Sequence, residues 1–155
     1  SFHIPYLYNY ARRPWQTQKR IRMLMESWFR NDLMGICGDE DGGGMSAFYV
    51  FSAMGFYPVT AGMPYYVIGS PIFDRVTIHL DNGKTFTLIA RNNSADNKYI
   101  QSARLNGKPY DKSYFSHEDL MRAARWSSRW ATAPASHGPW RRIRYLHRRD
   151  PTCGP

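Results

Sequence analysis

Residues 35–44 read GICGDEDGGG and residues 45–58 read MSAFYVFSAMGFYP, and this stretch separates two kinds of sequence pattern. Five glycines among residues 35–44 exclude regular structure and allow backbone conformations that other residues resist. Residues 45–54 are apolar on nearly every side, which is typical of a buried helix, and Gly55 is suited to end it. The stretch therefore predicts an acidic, glycine-rich loop that leads into a buried helix.

A second helix is predicted upstream, over residues 14–30. Pro14 suits the first helical turn, and Ile21, Leu24, Met25 and Trp28 recur at helical spacing. This pattern assigns Trp28 to the core. Two helices cannot close a helical domain, so we expect them to be the end of a larger one.

The period changes after Pro58, where short runs rich in β-forming residues begin. These runs occupy residues 65–68, 75–80, 86–91 and 99–105. Asp81-Asn82-Gly83 between two of them is a hairpin signal, and Asn106-Gly107 is a second turn. The predicted fold class is α+β, with two helices followed by an antiparallel β-section.

The net charge of +9 raises nucleic acid as a partner, but the charge is unevenly placed. Residues 1–120 hold 13 Lys/Arg and 11 Asp/Glu, whereas residues 121–155 hold 8 Arg and one Asp. The basic end is either a phosphate-binding arm or, as we favour, the product of GC-rich DNA translated out of frame. We expect residues 122–155 to be poorly ordered, and we expect no specific nucleic-acid partner.

Membrane and metal chemistry receive little support from the sequence. The apolar stretches are shorter than the roughly 20 residues needed to span a bilayer. Cys37 and Cys153 have no metal-site or redox spacing, and a disulfide between them has no further support.

Asp39, Glu40 and Asp41 are the residues in this chain best suited to acid–base chemistry. Alternate carboxylates at 39 and 41 meet at one site if the loop is extended, where one takes a proton from water and the other orients that water. The positive end of the following helix points to the same place. From the composition alone, a solvated turn, or a helix cap formed by Asp41, is the favoured explanation. The spacing does not fit an EF-hand.

Many segments, in order along the chain, resemble glycoside hydrolase family 92, the calcium-dependent exo-α-mannosidases. The segments that carry the resemblance are residues 2–10, 14–18, 35–43, 45–59, 68–71, 92–94, 99–103 and 105–108. The resemblance covers about residues 1–121. It implies that residues 1–57 end an (α/α)₆ catalytic barrel and that residues 58–121 form the β-rich section after it. The missing partners would be an N-terminal β-sandwich and the remainder of the barrel.

The resemblance also implies a function. The parent would remove terminal α-mannosides from glycans with inversion, as in N-glycan degradation, and would be secreted or periplasmic. Asp41 would be the general base, Asp39 its partner at the catalytic water, and His3 would line the sugar pocket. A calcium ion would contact the sugar hydroxyls. The general acid has no match in this chain, so we expect the fragment to be inactive alone. The alternative function is a non-catalytic carbohydrate-binding β-module.

Overall fold

The computed structural model of the chain describes residues 2–136 and Trp140. The helices come first along the chain. They are a 3₁₀ turn (Ile4–Tyr6), α1 (Leu7–Tyr10), α2 (Pro14–Trp28) and α3 (Gly44–Met54). Both predicted helices are confirmed. Helix α2 ends two residues earlier than predicted because Phe29 is extended and pairs with Ile36. Helix α3 ends at Gly55, whose φ of 104° is readily adopted only by glycine.

Two β-sheets follow the helices. The smaller has the order β1-β2-β7 and consists of β1 (Phe56–Tyr57), β2 (Tyr65–Ile68) and β7 (Tyr114–Ser116), all antiparallel. The larger contains β3 (Arg75–His79), β4 (Thr85–Arg91), β5 (Tyr99–Leu105), β6 (Lys108–Pro109) and β8 (Arg125–Ala131). Its strand order is β3-β4-β8-β5-β6, and only the β4–β8 pair is parallel. Helix α4 (His117–Met121) connects β7 to β8.

The α+β class and the four predicted strands are confirmed. The β-section is not wholly antiparallel as predicted, because β8 lies between β4 and β5 and runs parallel to β4. The turn at residues 81–83 joins β3 to β4, and the turn at residues 106–107 joins β5 to β6. The (α/α)₆ barrel stays a prediction, because helices α1 to α3 by themselves do not form one.

Two clusters of buried side chains hold the elements together. One packs the two sheets around Phe86, Phe115, Trp126 and Trp130. The other joins the helices to the smaller sheet, with Tyr6 and Val67 fully buried within it. The second cluster makes the helical part and the β-section share a core. Trp28, which the periodicity assigns to the core, is instead 54% exposed because it faces an open groove.

Strand β8 corrects the expectation of poor order from residue 122 onward. It lies between β4 and β5, and its side chains at 126, 128 and 130 are buried. The composition of the segment hides an alternation of buried and outward residues that is typical of a strand. The Trp130 indole donates to Ser128 Oγ at 2.7 Å. Residues 137–139 and 141–155, which include Cys153, lie outside the described residues, and the reading-frame hypothesis stays a prediction.

A strained alanine precedes β8 and provides a stability test. Ala123 has φ of 65°. Its amide donates to Leu120 O and that of Ala124 to Asp119 O, the pattern that ends helices with a glycine at the left-handed position. Left-handed backbone costs a non-glycine residue about 1–2 kcal/mol, which exceeds the entropic cost of glycine, about 0.5–1 kcal/mol.

We therefore expect Ala123→Gly to raise the free energy of unfolding by about 0.5–1 kcal/mol in urea titration. Ala124→Gly is the matched control. Ala124 is buried and not left-handed, so this change should lower stability. Equal losses in both variants would contradict the assignment of strain to Ala123.

Candidate active site in the acidic loop

Glu40 ties the acidic loop to the first turn of α3. Its carboxylate accepts hydrogen bonds from the backbone amides of Gly43 and of Ser46, the latter at 2.9 Å. Its carbonyl accepts the amide of Met45 at 3.0 Å. These hydrogen bonds, that from Ser46 foremost, lower the pKa of Glu40. The helix cap therefore comes from Glu40, and not from Asp41, and it occupies the positive end of the helix that we expected to face a ligand.

The two flanking aspartates are left exposed. Asp39 and Asp41 are both solvent-accessible, and within residues 2–136 neither carboxylate has a hydrogen-bond or ion-pair partner. The backbone of Asp41 is left-handed, with φ of 57°, a conformation that Asp and Asn tolerate better than most residues. Its carbonyl accepts the amide of Gly44 at 3.2 Å. The loop thus presents two free carboxylates on either side of a bound one.

The start of the chain lies against this loop. A Cβ built on Gly44 would be 3.1 Å from the Phe2 ring and 3.5 Å from the Asp41 Cβ, so the three residues are close neighbours. Phe2 stacks on Phe48 of α3, with ring centroids 5.7 Å apart. His3 follows Phe2 and is exposed, and its carbonyl accepts the amide of Tyr6 at 2.9 Å. The structure therefore brings the His3 segment to the acidic loop, without a described contact between His3 and either aspartate.

Two grooves border the loop. One, of about 390 Å³, is mostly apolar and runs between the start of the chain, α2 and α3, with Met23, Trp28, Cys37 and Met45 in its walls. The other, of about 400 Å³, is lined by Gly35 and Ile36 at the start of the loop and by Ser46 and Tyr49 after it. Neither groove is lined by Asp39, Asp41 or His3. The carboxylates therefore stand on an open surface, and this part of the chain does not enclose a sugar.

The described residues do not form a complete calcium site. Calcium takes six to eight oxygen ligands. Over residues 2–136 and 140, no three His, Cys, Asp or Glu side chains gather where they could hold a metal. The loop offers only two free carboxylates, because that of Glu40 is bound to amides. The described residues therefore supply no complete ligand set by themselves, and calcium stays a prediction for the parent protein.

Three buried polar side chains hold the helices on the β-section. Asn9 donates to Ile68 O at 2.8 Å, Gln18 accepts from the Ile100 amide at 3.1 Å, and Arg22 donates to Ser70 Oγ at 3.1 Å. Arg22 also donates to Pro71 O and Asn93 Oδ1. A polar residue on the apolar side of a predicted helix is the only sequence signal for such a role.

No helix among residues 2–136 is long and apolar enough to cross a membrane. Cys37 is a free cysteine in the wall of the apolar groove.

Comparison with known proteins identifies the family. Residues 1–129 match the glycosyl hydrolase family 92 catalytic domain. An uncharacterized secreted glycosidase from Arthroderma benhamiae is 41% identical over 126 residues, which are 78% of this chain and 16% of that protein. The match to residue 129 extends eight residues beyond the resemblance seen in the sequence and includes most of β8.

Solved structures agree with this match. A family GH92 α-mannosidase from Bacteroides thetaiotaomicron, in complex with mannoimidazole, superimposes with a TM-score of 0.83 at 36% identity, over 91% of this chain and 18% of that one. A family GH92 inverting mannosidase from the same species, strain VPI-5482, gives 0.83 at 42% identity, over 92% and 20%.

The chain spans only 16–20% of the length of these three relatives. Within that span, the matched sequence and the superimposed fold lead to one family: the chain belongs to glycoside hydrolase family 92.

Proposed function

We propose that this chain is the C-terminal part of an inverting exo-α-mannosidase that hydrolyses terminal α-mannosides of glycans. The observation that carries the proposal is the acidic loop of a family 92 chain, in which Glu40 is bound to helix amides while Asp39 and Asp41 stay free. The solved relatives named as mannosidases support the substrate class.

In this proposal Asp41 is the general base. Its carboxylate takes a proton from a water molecule as the water oxygen bonds to the anomeric carbon and the glycosidic bond breaks. Asp39, two residues away, orients that water. The leaving oxygen needs a proton from a carboxylic acid on the other side of the bond, with about 6.5–9.5 Å between the two carboxyl groups. We assign that acid to the parent protein outside this chain, so the chain alone is expected to be inactive.

The partner of this chain, in our proposal, is the remainder of the same catalytic protein. The apolar groove beside the loop leaves Ile4, Met23 and Trp28 at least 41% exposed. Exposed apolar surface of this kind marks an interaction site. The relatives are about five times longer than the matched segment, so they contain enough chain to cover the groove and close the sugar site. His3, next to the loop, would line that closed site.

We propose that calcium is bound by the parent protein, because the residues described here do not supply a ligand set. The roles proposed for Asp41 and Asp39 do not depend on calcium. A secreted or periplasmic parent is also proposed, and the relative described as a secreted glycosidase supports it.

A chimera tests the function. It joins the upstream part of the Bacteroides family GH92 inverting mannosidase to residues 1–136 of this chain in place of the matching segment. We expect the chimera to release β-mannose from a methyl α-mannobioside, followed by NMR before the anomers equilibrate, and the 155-residue chain alone to release none. Hydrolysis by the chain alone would contradict the fragment proposal. Release of α-mannose would contradict inversion.

The carbohydrate-binding module is not favoured by the structure. Binding to flat sugar faces needs an exposed aromatic platform, and within residues 58–136 only Phe73 is an exposed large aromatic side chain. Calorimetric titration of the chain with mannobiose and calcium distinguishes the two functions, because the fragment proposal expects no measurable heat of binding.

A further inference from the structure

We infer that Glu40 is a positioning residue, which occupies the amides of α3 and so leaves the carboxylates of Asp39 and Asp41 free for the reaction. The inference rests on the proposed function. Glu40 would then be a third functional residue of the acidic loop, and its role is to bind backbone amides and not the substrate.

The contacts of Glu40 differ in kind from those of its neighbours. Its two carboxylate oxygens are divided between two amides, with Oε2 on Gly43 and Oε1 on Ser46. The helix begins at Gly44, so this one side chain satisfies donors on both sides of the helix start. Amides at a helix N-terminus have no partner within the helix and attract carboxylates.

The contact of Glu40 matters for function because Asp39 and Asp41 compete for the same amides. Asp39 and Asp41 lie within one residue of Glu40 on a loop whose glycines allow rearrangement, with φ of 79° at Gly38 and 63° at Gly42. If Glu40 did not bind the helix, either aspartate would be drawn to the same amides. A carboxylate that accepts amide hydrogen bonds is a weaker base and is no longer free to bind water.

The backbone of the loop is arranged around the same anchor. Met45 donates its amide to Glu40 O at 3.0 Å, and Gly44 donates to Asp41 O at 3.2 Å. Gly43, at φ of 100°, makes the turn that brings its amide to the Glu40 carboxylate. The side chain and the backbone of residue 40 therefore both hold the loop on the start of α3. Loss of the carboxylate would free the part of the loop that carries Asp39 and Asp41.

The kinetic test uses three variants of the chimera. We expect Glu40→Ala to lower kcat about 10-fold or more, which corresponds to the loss of a fixed catalytic geometry, with little change in KM. Glu40→Gln keeps only one of the two acceptor oxygens, so its kcat should lie between that of Glu40→Ala and that of the unmodified chimera. Glu118→Gln, the same change at an exposed glutamate on α4, is the matched control and should have no effect.

A spectroscopic test uses the 155-residue chain and does not depend on activity. In the wild type, the amides of Gly43 and Ser46 should exchange with solvent more slowly than that of Gly42, for which no hydrogen bond is described within residues 2–136. In Glu40→Ala, their resonances should shift and their exchange should accelerate, while the Ala53 amide near the helix end should be unchanged.

Two results overturn the inference: wild-type Gly43 and Ser46 amides that exchange as fast as Gly42, or a Glu40→Ala chimera as active as the Glu118→Gln control. The second result, together with an inactive Asp41→Asn chimera, removes the role of Glu40 and leaves the base assignment standing. A fully active Asp41→Asn chimera removes the proposed base, and the positioning role with it.

Discussion

Asp41→Asn in the chimera is expected to lower kcat by about 10²–10⁴-fold, the usual contribution of a general base. The substitution changes chemistry more than shape. Asn is nearly isosteric with Asp and tolerates the left-handed backbone that residue 41 adopts, with φ of 57°. The amide cannot take a proton from water. KM should change little, because sugar binding to the rest of the site is retained.

Two further substitutions make this result specific. Asp39→Asn should lower kcat less than Asp41→Asn, since the role proposed for Asp39 is to orient the water. Asp96→Asn removes an exposed carboxylate from the β-section and should leave kcat unchanged. Turnover in Asp41→Asn within twofold of the unmodified chimera would exclude Asp41 as the base, whatever the family of the chain.

Arg22→Ala is expected to lower the free energy of unfolding of the chain by about 3 kcal/mol. The Arg22 side chain is only 4% exposed, and its guanidinium donates to Ser70, Pro71 and Asn93. Burial lowers the pKa of Arg22, against a weaker opposing effect of Glu26. Hydrogen bonds to a charged group contribute about 1.5–3 kcal/mol each, and the cost of burying the charge offsets part of their sum.

Substitutions of similar length separate these effects. Arg22→Lys keeps the charge but lacks the planar fork that reaches several acceptors, so we expect a loss of about 1–2 kcal/mol. Arg22→Met keeps most of the apolar stem and removes all three donors, which measures the donors directly. Lys19→Ala, at an exposed position on the same helix, should change stability by less than about 0.5 kcal/mol in urea titration. A loss in Arg22→Ala no larger than that in Lys19→Ala would contradict the bridging role.

Local patterns in the sequence were sufficient to predict elements that form between residues close together in the chain. The ranges predicted for β2 and β5 agree with the structure, and the turn at residues 81–83 joins the strands that flank it. The two-residue strands β1 and β6 were missed because such a short run has no measurable period. Strand β8 was missed because its unusual Arg and Trp content outweighed the alternation of Trp126, Ser128 and Trp130.

In the acidic loop, too, the sequence predicts one part of the arrangement and the tertiary structure decides the other. The sequence predicts that Asp39, Glu40 and Asp41 form a loop before a helix, which the structure confirms. The predicted burial of that helix is only partly right, because α3 packs on one side and leaves Val50 53% exposed. Three adjacent carboxylates are equivalent in a sequence pattern, and only the path of the backbone decides which of them meets the helix amides. That path assigns the amides of Gly43 and Ser46 to Glu40.

The sequence by itself determined the α+β class, the order of the main elements and the family, because periodicity, glycine turns and matched segments depend on residues close together in the chain. The tertiary structure alone decided that β8 lies between β4 and β5, that Trp28 faces a groove, and that Arg22 is buried against Ser70 and Asn93. The physical reason is that burial and hydrogen bonding depend on which distant donors and acceptors are brought together. Residues 22 and 93 are separated by 71 positions and share no local pattern.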